Sequence, residues 1–127
     1  KGSIINISSI AGKRGSKNNS AYVATKFAMN GLTQSLAKEL GEKQIRVNAI
    51  CPVLIKTKGL LNALSQEYAP GSSNVEKFLT DFCSTQSALN KLPSAEEVSQ
   101  MVIFLASEKA SAITGQCINI DCGVFPQ

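Results

Sequence analysis

Three short apolar runs, Ser3–Ile7, Ile45–Ile50 and Cys117–Ile120, constrain this chain more than anything else in it. All three are rich in β-branched residues and read as buried strands, and helical patterns occupy the intervals between them. A strand–helix–strand–helix–strand order requires each crossover to return over the sheet, which predicts parallel strands with helices on both faces. Three parallel strands are few for a self-contained sheet and leave apolar edges open.

The intervals carry their own punctuation. From Ala21 to Leu40, Ala24, Ala28, Leu32, Leu36 and Leu40 recur every four residues, widened by Ala21, Met29 and Ala37. This predicts a helix with that stripe as its apolar face, closing at Gly41. Gly31 within it costs about 1 kcal/mol relative to alanine, which close approach of a neighbouring backbone would explain. Pro52 is expected to cut the second strand off. Residues 58 to 92 are weakly patterned, with short helices over Leu60–Tyr68 and Val75 to about Ser87 flanking the breaker Pro70–Ser73. Pro93 then precedes Ser94-Ala-Glu-Glu97, a capping-box spacing, and Val98, Met101, Val102 and Leu105 follow at helical intervals. The fold class is therefore α/β, and the 127 residues read as half of a Rossmann-like, doubly wound parallel sheet: three strands, flanking helices and a helical lid.

With no histidine among 127 residues, Ser-His-Asp triads, Cys-His pairs, histidine-liganded metals and imidazole pH switches are excluded from this chain alone. The net charge of +4 is mild, and its one local excess, Lys13, Arg14 and Lys17, reads as a solvated loop rather than a nucleic-acid footprint. No apolar run has the length of a membrane span. The four cysteines (Cys51, Cys83, Cys117, Cys122) form no C-x-x-C pair, so no zinc site or disulfide framework is expected and a reducing cytoplasm is the default.

Acid–base chemistry must then come from Tyr, Lys, Asp, Glu or Cys. Tyr22 and Lys26 stand four apart at the start of the long helix and share a face. An ammonium a few ångströms from a phenol favours the phenolate, which would make Tyr22 a usable acid–base group near neutral pH. Ser9 follows the first strand, where an α/β sheet opens its ligand crevice, and its hydroxyl could bond a carbonyl that Tyr22 protonates. The spacing alone leaves a plain alternative, because Tyr and Lys four apart also occur by chance on half-exposed helices.

From Gly2 to Gly123 the chain resembles the C-terminal half of a short-chain dehydrogenase/reductase (SDR). The resemblance rests on Ile4-Ile-Asn-Ile-Ser-Ser-Ile-Ala-Gly12, Tyr22-Val-Ala-Thr-Lys26, Ile45-Arg-Val-Asn-Ala-Ile50, Thr114-Gly-Gln116 and Ile120-Asp121, in that order and at those spacings. It implies that Ser9 orients the substrate carbonyl or alcohol, that Tyr22 transfers the proton and, with Lys26, contacts the cofactor, and that Lys26 lowers the Tyr22 pKa and bonds the nicotinamide ribose. The segment Pro52-Val53-Leu54-Ile55-Lys56-Thr57 matches the family's Pro-Gly-x-x-x-Thr. By resemblance its backbone at Ile55 receives the carboxamide and Thr57 supports the nicotinamide end. The implied cofactor is NAD or NADP, and the implied substrate a small carbonyl or alcohol compound, of ketone, polyol or sugar type. A 3-oxoacyl carrier-protein reductase is the alternative within the family; a non-catalytic fragment or pseudo-enzyme, serving assembly or cofactor sensing, is the alternative outside catalysis. Residues 58 to 92 correspond to the variable substrate lid, and a homotetramer or homodimer through the helix carrying Tyr22 and Lys26 is implied, its small residues Ala28, Gly31 and Ser35 suiting a close helix contact.

Val53 and Cys122 stand where the family has glycines. Val53 is harmless if its backbone is ordinary extended chain and strained if φ is positive. The glycine-rich pyrophosphate turn, the residue selecting NAD or NADP and the family's further catalytic Asn have no match in these 127 residues, so the dinucleotide-binding half is expected outside this sequence. Ser8 is read as a strand-end hydrogen bonder, Cys51 as a packed thiol bordering the nicotinamide pocket, and Asn48 as a partner for strand backbone.

Overall fold

The computed structural model describes residues 1–127. Strand β1 (Gly2–Ile7), helix α1 (Ser20–Leu40), strand β2 (Ile45–Pro52), helices α2 (Lys58–Leu64), α3 (Val75–Gln86) and α4 (Ala95–Ala106), and strand β3 (Cys117–Ile120) follow one another, with short 3-10 turns at Ile10–Gly12, Gly41–Lys43 and Glu108–Ala110. The three strands form one parallel sheet in the order β1-β2-β3. Gly2 pairs with Ile45 and Ile7 with Ile50; Ala49 pairs with Cys117 and Pro52 with Ile120.

The alternation of side chains along each strand assigns the two faces. On one, Ile50 joins Leu105 of α4 and Ala110, with Ile5, Ile118, Ile120, Val98, Met101 and Val102 packed around them. Val47, Ala49 and Cys51 alternate with Asn48 and Ile50 along the buried β2, and Cys51 meets Asn30 of α1 on the opposite face. The Ser94 cap forms as read: its hydroxyl accepts from the Glu97 amide while the Glu97 carboxylate accepts from the Ser94 amide. Asn48 bonds the Ile113 carbonyl and accepts from the Gln116 amide, satisfying backbone at the start of β3.

The structure departs from the sequence reading at α1. Its buried residues are Asn30, Thr33 and Ala37, whereas Ala24, Ala28 and Leu32 of the four-residue stripe face outward and Leu32 is 54% exposed. The helix docks through small and polar groups because each finds a partner: Asn6 Nδ2 donates to Thr33 Oγ1 at 2.9 Å, and Asn30 Nδ2 to the Gly12 carbonyl at 2.9 Å. Nothing lies within 4 Å of a Cβ built on Gly31, so no backbone of this chain explains that glycine. Nor does Gly41 terminate the helix in a left-handed conformation; it keeps φ −57° and enters a 3-10 turn, and Gln44 takes the left-handed turn at φ 57°.

Two smaller differences follow local chemistry. β2 runs through Pro52, whose missing N–H is tolerated at a strand's last residue. α2 ends at Leu64 rather than Tyr68: the Ser65 hydroxyl and Gln66 Nε2 donate to the Asn62 carbonyl, the Gln66 amide turns to the Ala63 carbonyl, and the next turn is exposed. Gly71, in the α2–α3 connection, is enclosed by Leu64 and Val75.

Candidate active site

Ser9, Tyr22 and Lys26 gather at the C-terminal end of β1, where the chain leaves the sheet, forms a 3-10 turn and enters α1. The turn starts at Ser9, whose hydroxyl accepts from the Ala11 amide at 3.1 Å and donates to the Pro52 carbonyl at 3.5 Å, a long bond. Ser8, its neighbour, is buried; its amide donates to the Ile50 carbonyl and its hydroxyl to the Lys26 carbonyl. Ser8 thus closes the strand end inside the core, and Ser9, only partly buried, carries the more accessible hydroxyl.

Lys26 Nζ donates to the Ile7 carbonyl at 2.9 Å and sits 5.5 Å from the centroid of the Tyr22 ring. The ammonium therefore lies against the ring and is tied to the end of β1, while the ring, on a residue 46% exposed, faces the open side. Gly12 holds the turn to the helix. A Cβ there would meet the Lys26 carbonyl oxygen at 2.6 Å, so only glycine lets the Ser9 turn lie directly on the backbone of the residue that supplies the cation.

The segment after β2 supplies the opposite flank. Pro52 is the strand's last residue, and the Val53 amide donates to the Ile120 carbonyl at 3.3 Å. Val53 is not among the positive-φ residues, so its backbone carries no left-handed strain, and its side chain packs against the Ile10–Cys51–Val124 cluster. The Ile55 carbonyl accepts from the Thr57 amide, while the Ile55 N–H has no acceptor in the chain. Thr57 caps α2 by accepting from the Leu60 amide, which leaves its hydroxyl hydrogen free to donate. A cleft of about 600 Å³ opens beside Ile55 and Lys56 and is walled by Leu79, Thr80 and Cys83 of α3 with Pro93. It does not include Ser9, Tyr22 or Lys26, so the Ser–Tyr–Lys group lies outside this hollow.

Cys51 is fully buried, and burial pushes its thiol up against the opposing pull of Lys13, Ser8 and Asn30. It is a packed thiol. Lys13 and Arg14 contradict the solvated-loop expectation. Lys13 Nζ donates to the Cys117 carbonyl at 2.6 Å, and the Arg14 guanidinium lies 5.2 Å from the Phe125 ring centroid. Lys17, by contrast, is exposed. Sequence reasoning missed the roles of Gly12, Asn30 and Asp121. The Gly12 signal was present, as the glycine closing the Ser-Ser-x-x-Gly run, but nothing in the sequence pairs it with Lys26.

Cys122 occupies φ 54°, the left-handed conformation that favours glycine. Gly123 beside it, at φ 78°, would drive a Cβ to 2.7 Å from the Ala88 side chain. Of the two family glycines here, the second is required by both conformation and space, and the first is replaced at the cost of strain.

Known proteins bear on this arrangement. A family model described as enoyl-(acyl carrier protein) reductase matches residues 1–125. The chain is 42% identical over 125 residues to short-chain dehydrogenase/reductase aba4 of Botryotinia fuckeliana, covering 96% of the chain and 45% of that protein. It is 38% identical over 126 residues to 3-oxoacyl-[acyl-carrier-protein] reductase FabG of Chlamydia muridarum, covering 97% of the chain and 45% of the relative. Among solved structures, sorbitol-6-phosphate 2-dehydrogenase SrlD from Erwinia amylovora superposes with a TM-score of 0.88 at 33% identity, over 98% of this chain and 49% of that one. The chain spans about half the length of the relatives it matches.

Proposed function

Because the chain belongs to the short-chain dehydrogenase/reductase family, we propose that residues 1–127 form the C-terminal catalytic half of one Rossmann-type domain, with residues 58–92 as its substrate lid. The whole protein is then an NAD(P)-dependent oxidoreductase acting on a carbonyl or secondary alcohol. The observation that carries this reading is the Ser9–Tyr22–Lys26 group at the end of β1, with Gly12 pressing the Ser9 turn onto Lys26.

The residues present suit the nicotinamide end of the cofactor. The free Ile55 N–H can receive the carboxamide oxygen, and Thr57, Pro52 and Val53 shape the same flank. The pyrophosphate end needs a glycine-rich turn, for which residues 1–127 offer no counterpart. When bound, the nicotinamide supplies or takes a hydride at its C4 carbon. In the reducing direction Ser9 would donate a hydrogen bond to the substrate carbonyl, Tyr22 would give its phenolic proton to that oxygen, and Lys26 would steady the resulting phenolate and could bond the nicotinamide ribose. The product is the alcohol; oxidation runs the same transfers backward.

Tyr22→Phe in the full-length protein tests the assignment. It is expected to lower kcat by about 10²–10⁴-fold while leaving cofactor affinity near the parent's. Turnover near the parental rate would overturn it.

The FabG relative favours a second reading, a 3-oxoacyl carrier-protein reductase. An acidic carrier needs several cations free at the mouth of the site, and Lys13 and Arg14 are committed to Cys117 and Phe125, leaving Lys17 alone of that cluster exposed. A small ketone, polyol or sugar is therefore the preferred substrate class. The non-catalytic reading predicts no turnover by the full-length protein, and for a fragment without the glycine-rich turn no saturable cofactor binding, which a fluorescence titration checks. Assembly into a homodimer or homotetramer through α1 is supported by the outward-facing Phe27, Ala28, Gly31 and Leu32. Four free cysteines suit a reducing cytoplasm, and no helix is long and apolar enough to cross a membrane.

A further inference from the structure

The turn Asp121–Phe125 after β3 is closed by its own side chains. The buried Asp121 carboxylate accepts from the Gly123 amide at 3.0 Å and the Phe125 amide at 2.8 Å, and Asn119 Nδ2 donates to the Phe125 carbonyl at 2.8 Å. Behind it, the Cys122 carbonyl accepts from the Ser87 hydroxyl and the Leu89 amide, so the turn is seated on the end of α3. In front, it presents two side chains to the segment that follows Ser9. Val124 shares one buried cluster with Ile10 and Cys51, and the Phe125 ring stacks under Arg14.

Ser9 has little of its own to hold it, since its hydroxyl makes one long bond and one local turn bond. Its place is set by its flanks: Gly12 on the α1 backbone, Ile10 in the Val124 cluster, and Lys13 and Arg14 tied to Cys117 and Phe125. We propose that Asp121, Phe125 and Arg14 are positioning residues for Ser9, with the Asp121–Phe125 turn as a backstop and the Arg14–Phe125 stack as its clasp. This rests on the catalytic assignment of Ser9 made above. The chemistry explains why the loop's cations turn inward, since a guanidinium gains by facing an aromatic ring and an ammonium by meeting a carbonyl.

The test compares Phe125→Leu, which removes the ring, with Phe125→Tyr, which keeps it, in the full-length protein. Two readouts are taken: kcat and KM with substrate, and hydrogen exchange of the Ala11 amide, which donates to Ser9 Oγ. Phe125→Leu is expected to lower kcat about tenfold with cofactor KM little changed and to speed Ala11 exchange by a similar factor, and Phe125→Tyr to restore both. Parental kcat and exchange in Phe125→Leu would overturn the proposal. So would a change in only one of them while Ser9→Ala is inactive, because the turn would then brace the fold without placing the hydroxyl. Turnover by Ser9→Ala at the parental rate would instead refute the catalytic assignment, and the Ala11 exchange would still report on positioning. Should Phe125→Leu fail to fold, Arg14→Met breaks the same stack from the other side and carries the same expectations.

Discussion

Replacing Gly12 with alanine should separate the Ser9 turn from the helix that carries Tyr22 and Lys26. The added Cβ would lie 2.6 Å from the Lys26 carbonyl oxygen, 2.9 Å from its carbon and 2.7 Å from Asn30 Nδ2. Ordinary contact begins at 3.4 Å, so the nearest pair must open by about 0.8 Å. The carbonyl belongs to a mid-helix residue and cannot yield, and Asn30 is held by its bond to the Gly12 carbonyl, so the turn must lift. Overpacking of this kind costs about 1–3 kcal/mol, and loss of the Asn30 bond adds about 1 kcal/mol. Urea unfolding of Gly12→Ala should therefore show a destabilisation of about 2–4 kcal/mol. A shift of this size at reacting groups also predicts a kcat ten- to about a hundredfold lower at temperatures where the variant is folded. A variant within about 0.5 kcal/mol of the parent and with its full kcat would refute the argument that close backbone contact sets this site.

Other perturbations follow from the same structure. Cys122→Gly should stabilise the protein by roughly 0.5–1 kcal/mol, because it removes a left-handed non-glycine residue; denaturant midpoints check this. Burial raises the Cys51 thiol above its ordinary value of 9.0, so the folded state retains its proton after the unfolded chain has lost it. The stability due to that group is present in full below that value and is lost as pH rises through the folded one, and Cys51→Ala should flatten the decline in midpoint between neutral and strongly alkaline pH. Gly31→Leu should weaken subunit association in sedimentation experiments without unfolding the chain, since nothing within it lies near that position.

Periodicity and punctuation made most of the fold legible before any coordinates. The β3 limits, the Ser94 capping box and the parallel order of the sheet follow from local rules that each stretch obeys independently. The placement of Ser9, Tyr22 and Lys26 around one strand end was legible as well, because Ser9 follows β1 and Tyr22 and Lys26 share a face at the start of the next helix. Periodicity failed over the first half of α1, where Ala24, Ala28 and Leu32 of the apolar stripe face outward and Asn30 and Thr33, with Ala37 from the stripe's edge, are buried. An apolar stripe reports that some face will be covered, but which one meets the strands depends on whether polar side chains find partners there. Asn6, Cys51 and the Gly12 carbonyl, all distant in sequence, are those partners.

The chain order and residue types alone determined an α/β half-sheet with a hydroxyl, a phenol and an ammonium near one strand end. Tertiary structure decided how those groups are held: Gly12 against the Lys26 carbonyl, Lys26 tied to Ile7, and the basic loop turned onto Cys117 and Phe125. These contacts join residues up to 111 positions apart, from Arg14 to Phe125. Their distances depend on how the strands and the final turn pack, which no local pattern encodes.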